Sequence, residues 1–159
     1  MAERHLAARF GDDLVDHRTW VIAGDGCLME GVSQEAISMA GRFRLNKLTV
    51  LFDDNNTTID GEATISETGD QMARFKAAGW AVKAVDGHDF GKIAAALRWA
   101  TRQDRPTMIA CKTKISKGAG RKEGDPHSHG YTLFDDEIAD SRLAMGWSHE
   151  PFVIPDEVY

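Results

Sequence analysis

Short apolar runs rich in β-branched residues recur along the chain, and between them apolar residues repeat every three or four positions. The runs at 19–23 (TWVIA), 48–52 (LTVLF), 80–85 (WAVKAV) and 107–112 (TMIACK) read as strands. Between the first two, Val32, Ala36, Ile37, Ala40 and Phe43 fall at helical spacing. Further helices are expected over 71–78, after His88 with Phe90, Ile93, Leu97 and Ala100 on one face, and over 135–145. Residues 5–10 read as the end of a helix that leads into a turn. Strands alternating with helices imply right-handed crossovers. The expected fold is therefore α/β, a parallel sheet with helices on both faces. Sheets of that kind bind ligands at the carboxyl ends of their strands.

Four strands make a small sheet, and buried parallel strands need neighbours on both sides. The fold is therefore expected to be incomplete at its N-terminal side. Residues 1–147 read as a partial domain, and 148–159, ending in PFVIPDEVY, as an extended tail. The segment SKGAGRKEG (116–124) reads as a flexible, solvated loop.

Composition narrows the function classes. The chain has 159 residues, 42% hydrophobic and 28% charged, which suits one globular domain. Nineteen basic against 25 acidic residues leave a net charge of -6, the wrong balance for a nucleic-acid surface. No apolar run reaches the length of a membrane span. The opening MAERHLAARFG carries charges where a secretory signal needs an apolar stretch, and two cysteines are too few for a disulfide framework. A cytoplasmic setting is expected.

The chemistry concentrates at two strand ends. The first strand leaves through Gly24, Asp25 and Gly26 straight into a helix. Glycines admit close approach to the backbone, and a helix N-terminus offers unpaired N–H groups to an anion. A carboxylate there repels an anion unless a cation lies between them. The second strand ends in DDNNTTIDG, and Asn55 lies 30 positions after Asp25, one βαβ turn away. A carboxylate, an amide oxygen and a backbone carbonyl suit a hard divalent cation that shares its shell with phosphates. Magnesium is the expected metal, with Ca2+ or another divalent cation as the alternative. Of the pair Asp53–Asp54, one is expected to cap the turn and the other to face solvent. Cys27, with no base or second cysteine near it in sequence, reads as packing.

The stretch GDGCLMEG…SQEAISMAGRFRLNKLTVLFDDNNTTIDG resembles the thiamine-diphosphate signature, which opens on GDG and closes on NN about thirty residues later. Within that superfamily it is most similar to transketolase. The likeness continues through MARFKAAGW, VDGHD, RPTMIACKTKI, HSHG and GW…PF, and so covers essentially the whole chain. It implies a thiamine-diphosphate-binding fold, the later part of the family's diphosphate-binding domain. It also implies magnesium ligation by Asp25, the Asn55 side chain and the Thr57 carbonyl. Gly24, Gly26 and Asn55 would lie on the cofactor's diphosphate, Glu30 near the subunit interface and cofactor, and Ile59 and Ile115 near the thiamine. His129 would contact the diphosphate and the reacting end of the substrate. Two departures stand out: Pro126 occupies the place where a second histidine usually stands, and the 116–124 loop is more basic than in many relatives.

The family transfers a two-carbon ketol unit between sugar phosphates, the chemistry of the pentose phosphate pathway. The resemblance therefore implies thiamine diphosphate as cofactor and a homodimer, or a partner chain carrying the pyrimidine-binding domain. That domain supplies the glutamate that activates the cofactor, so this chain alone is expected to be inactive. Two other readings remain: a non-catalytic scaffold or partner subunit of a split transketolase, and a receiver-like signalling module. The second fits poorly, because the acidic pair of a receiver closes its first strand.

Overall fold

The structure is a computed structural model that describes residues 1–130 and 133–159, in two compact units, 1–113 and 114–159. The first unit begins with α1 (Ala2–Phe10), β1 (Thr19–Gly24), α2 (Asp25–Met29) and α3 (Gly31–Arg42). Next come β2 (Leu48–Asp54), the short strands β3 (Thr57–Thr58) and β4 (Gly61–Glu62), and α4 (Gln71–Ala77). β5 (Ala81–Asp86), α5 (Phe90–Ala100) and β6 (Thr107–Lys112) complete it. The main sheet is parallel throughout, in the order β1-β2-β6-β5. The last strand thus enters between β2 and β5.

Alternation along the strands sends successive side chains to opposite faces. Ala23, Val50, Phe52, Met108 and Ala110 point to one face and pack with Ile37 and Ala40 of α3, Phe75 of α4, and Trp80. Ile109 points to the other, beneath Ala96 and Ala100 of α5, with Leu51, Val85 and Cys111 around it. Helices therefore cover both faces, as the periodicity predicts. Phe75 and Met108 are fully buried, and each such side chain stabilises by roughly 1.5–3 kcal/mol. The Trp80 ring meets Phe75 edge-on with centroids 4.9 Å apart, and its indole N–H donates to the Ile37 carbonyl at 2.8 Å.

Not every apolar position on these stripes is covered. Val32, Phe43 and Phe90 are exposed, although spacing alone assigns them to inward faces. On β1, Trp20 and Ile22 are 43% and 79% exposed. β1 is one of the two edge strands of the sheet, and α5 packs against the other edge strand, β5, and its neighbour β6.

Aspartates start two of the helices. Asp70 accepts from the Ala73 N–H at 2.9 Å, and Asp89 accepts from the Lys92 N–H at 2.9 Å. Each satisfies a donor that the first helical turn leaves free.

The second unit contains α6 (Asp135–Ala144) and 3-10 turns at Gly120–Lys122, Pro126–Ser128 and Asp156–Val158. Its 116–124 loop is closed, where composition alone suggests flexibility. The Gly124 N–H donates to the Ile115 carbonyl at 2.8 Å. Glu123 accepts from the Gly118 N–H at 3.0 Å, from Lys117 at 3.1 Å and from Lys114 at 3.4 Å. The Gly118 N–H, and then Lys117, lower the Glu123 carboxyl to about 2. Buried Glu137 accepts from Arg121 at 2.9 Å and from the Phe134 N–H at 3.1 Å, and these contacts tie the loop to α6. Among the described residues, no helix is long and apolar enough to cross a membrane.

Candidate cofactor and metal site

The parallel register sets Gly24 opposite Asp53, so β1 and β2 end side by side. The chain turns directly from β1 into α2, with Asp25 as its first residue. After β2 it folds into a tight turn built by Asn55. The Asn55 Oδ1 accepts from the Thr57 N–H at 2.9 Å, and the Thr57 hydroxyl donates to the Asn55 carbonyl at 3.2 Å. This is the turn that asparagine favours, because its side chain copies a backbone acceptor. Asn56 sits in the left-handed region at φ 57, which asparagine tolerates better than most residues, and its Oδ1 accepts from the Thr64 N–H at 3.2 Å. β3 and β4 then pair as an antiparallel hairpin with Ile59 at its tip, 77% exposed.

Asp25 is the unusual group here. Its Oδ2 is buried without a hydrogen-bond partner among the described residues. Burial pushes the Asp25 carboxyl above its ordinary range and the nearby Asp54 charge adds to this, while the backbone N–H groups of Thr57, Asn55 and Asn56 pull the other way. An orphaned buried carboxylate oxygen is costly unless something positive meets it. The adjoining turn brings the backbone N–H groups of Thr57, Asn55 and Asn56 toward the Asp25 carboxylate. No three His, Cys, Asp or Glu side chains gather as a metal cluster among the described residues.

The flanking glycines are not explained by packing. A Cβ on Gly24 or Gly26 would meet nothing within 4 Å, and neither residue has a positive φ. The fold itself therefore places no demand on their missing side chains. Glu30 is exposed between α2 and α3, and its carbonyl accepts from the Ser33 N–H at 3.0 Å.

Ile115 and His129 belong to the second unit. Ile115 is half-buried at the mouth of the closed loop, and His129 is exposed, its N–H donating to the Pro126 carbonyl at 3.1 Å. Asp125 caps the turn before it, accepting from the His127 N–H at 2.9 Å and lying 3.0 Å from the His127 ring. His127 is thereby held to its own turn.

The acidic pair behaves differently from its sequence reading. Asp54 does not simply face water: its Oδ1 accepts from Lys112 at 3.1 Å. Asp53 accepts from the Asn55 Nδ2 at 3.0 Å and from the Thr113 hydroxyl. The turn residue Asp53 and the β3–β4 hairpin are the parts that sequence reasoning missed. The Asp-Gly pair at 60–61 was the available hairpin signal.

Comparisons with known proteins identify the family. The family model described as "Transketolase, thiamine diphosphate binding domain" matches residues 1–159. A transketolase from Cereibacter sphaeroides is 55% identical over 159 residues, covering 100% of this chain and 24% of that protein. One from Sinorhizobium medicae is 51% identical over 158 residues, covering 99% of this chain and 23% of that protein. The transketolase structure from Campylobacter jejuni superposes with a TM-score of 0.95 at 36% identity, over 99% of this chain and 25% of the other. That from Leishmania mexicana gives 0.92 at 38% identity, over 99% and 24%. The chain thus spans about a quarter of the length of these relatives. It belongs to the transketolase thiamine diphosphate binding domain family.

Proposed function

We propose that this chain binds a divalent cation and thiamine diphosphate as part of a transketolase that moves a two-carbon ketol unit between sugar phosphates. The observation that carries this reading is the buried, unpartnered Asp25 oxygen beside the Asn55–Thr57 turn. Asp25, the Asn55 Oδ1 and the Thr57 carbonyl hold magnesium, or calcium or another divalent cation in its place. Gly24 and Gly26 leave room for the diphosphate, which the metal joins to the protein. Glu30 serves the cofactor's surroundings near a subunit boundary, and Ile59 and Ile115 border the thiamine. His129 binds at the diphosphate and the reacting end of the substrate. The cofactor, when bound, supplies the carbanion chemistry, and the protein supplies binding and orientation. The domain itself comprises 1–147, and 148–159 leads toward a pyrimidine-binding domain from the same protein, a second copy or a partner chain. The setting is cytoplasmic, and without the pyrimidine-binding domain the chain binds but does not turn over.

Calorimetric titration of thiamine diphosphate tests this reading. Binding heat is expected with magnesium and not with chelator. Gly26→Ala keeps or raises its melting temperature, because a Cβ there meets nothing within 4 Å and alanine is favoured over glycine within a helix by up to about 1 kcal/mol. The same variant weakens binding about tenfold or more, an estimate equivalent to roughly 1.4 kcal/mol of lost contact. Heat that persists in chelator, or an unchanged affinity in Gly26→Ala, contradicts the proposal.

A further inference from the structure

We propose that Asp53 is a positioning residue that locks the Asn55 side-chain amide in its cation-binding orientation. This inference rests on the functional reading above and adds to it a residue that does not itself touch the metal. Asp53 uses both carboxylate oxygens. Its Oδ2 accepts from the Asn55 Nδ2 at 3.0 Å, and its Oδ1 accepts from the Thr113 hydroxyl just beyond β6. The Thr113 N–H in turn donates to the Asp54 carbonyl at 3.2 Å. Because β2 and β6 are paired neighbours, this contact anchors the carboxylate to the sheet itself.

Hydrogen-bond chemistry then fixes the amide without reference to how its atoms were assigned. A carboxylate only accepts and a backbone N–H only donates. Asn55 lies between one of each, Asp53 and the Thr57 N–H. Turning the amide over would set its oxygen against the Asp53 carboxylate and its NH2 against the Thr57 N–H, so both contacts would become repulsive. The oxygen is thereby committed to the Thr57 side of the turn. A carboxylate accepting from the NH2 also draws electron density toward the amide oxygen and makes it a better donor to a cation, as outer-shell partners of metal ligands do. Asp53 is half-buried.

The test compares Asp53→Leu, Asp53→Asn and Thr113→Val with the unaltered chain by two readouts. The first is the Asn55 side-chain amide in 15N-edited NMR spectra, identified by its loss in Asn55→Asp. Its two protons are expected to be protected from exchange and shifted away from free-asparagine positions in the unaltered chain, and unprotected and near free-asparagine positions in Asp53→Leu. The second is the affinity for Mn2+, with thiamine diphosphate present, from the electron paramagnetic resonance of the free ion. A loss of about 10–100-fold is expected in Asp53→Leu, the usual effect of removing an outer-shell partner. Asp53→Asn keeps an acceptor for the Asn55 NH2, so it recovers most of that affinity and the protected amide signal. A role in packing alone would not order the variants this way. Thr113→Val, which removes one anchor and retains Asp53, gives a smaller loss and keeps the test open if Asp53→Leu does not fold. An Asn55 amide that is unprotected and near free-asparagine shifts in the unaltered chain overturns the inference whatever the metal does. Equal Mn2+ affinity across the series overturns it and leaves the metal reading intact. No Mn2+ binding by the unaltered chain overturns both.

Discussion

Asp25→Asn is expected to remove magnesium-dependent cofactor binding while making the metal-free chain more stable. The two effects share one cause. Burial and the Asp54 charge hold the Asp25 carboxyl above the ordinary aspartate value of 3.8, so its charged form is disfavoured in the fold. Between 3.8 and the raised value, the folded form holds more protons than the unfolded form. The contribution of Asp25 to stability therefore falls as pH rises through that window and is flat above it. In Asp25→Asn that contribution disappears and the melting temperature at neutral pH rises. A bound cation reverses the sign, since it takes the proton's place and favours the ionised carboxylate. At a magnesium concentration 100 times Kd, the unaltered chain gains about 2.7 kcal/mol. That gain is absent in the variant, whose affinity falls by more than about 100-fold, beyond the loss typical of an outer-shell change. Thermal melts from pH 3 to 8, with and without magnesium and thiamine diphosphate, read both effects at once. A variant that still melts higher with magnesium contradicts the assignment of Asp25.

The second large effect lies away from the site. Gly41→Ala is expected to destabilise the first unit by about 3 kcal/mol, the upper end of typical overpacking penalties. Inside a helix, exchanging glycine for alanine ordinarily stabilises by up to about 1 kcal/mol. At Gly41 an added Cβ would lie 1.8 Å from the Ala78 carbonyl oxygen and 3.4 Å from the Trp80 ring. Backbone cannot yield as a flexible side-chain tip can, so α3 must lift away from the segment joining α4 to β5. The contacts of Ile37 and Ala40 with Phe75 and Trp80 loosen with it. For a domain of this size the melting temperature drops by about 6–12 °C. Gly31→Ala in the same helix is the control, since a Cβ there meets nothing within 4 Å, and its effect stays within about 0.5 kcal/mol. Equal melting temperatures for the two variants would contradict this packing.

The strands and principal helices were legible because each carries its own period, and the 30-residue interval from Asp25 to Asn55 already places both at adjacent strand ends. The register that sets Gly24 against Asp53 bears this out. What depends on strand order was not legible. Asp53 meets Thr113 and Asp54 meets Lys112 only because β6 inserts next to β2, across roughly sixty residues of sequence. Read locally, an acidic pair before two asparagines is a solvated turn. Likewise, nothing in TWVIA marks it as an edge strand of the sheet, with Trp20 and Ile22 exposed. The 116–124 loop misled in the opposite direction. Glycines and lysines suggest mobility, yet one glutamate, Glu123, gathers a backbone N–H and two lysines and closes it. The segment shows the acid, but not which donors it gathers.

The metal site is the centre of this reading, and diffraction locates it most directly. Crystals of the chain grown with Mn2+ and thiamine diphosphate, measured near the manganese absorption edge, are expected to show one anomalous peak within coordination distance of the Asp25 carboxylate, the Asn55 Oδ1 and the Thr57 carbonyl. A peak elsewhere, or cofactor bound with no metal at Asp25, would contradict it.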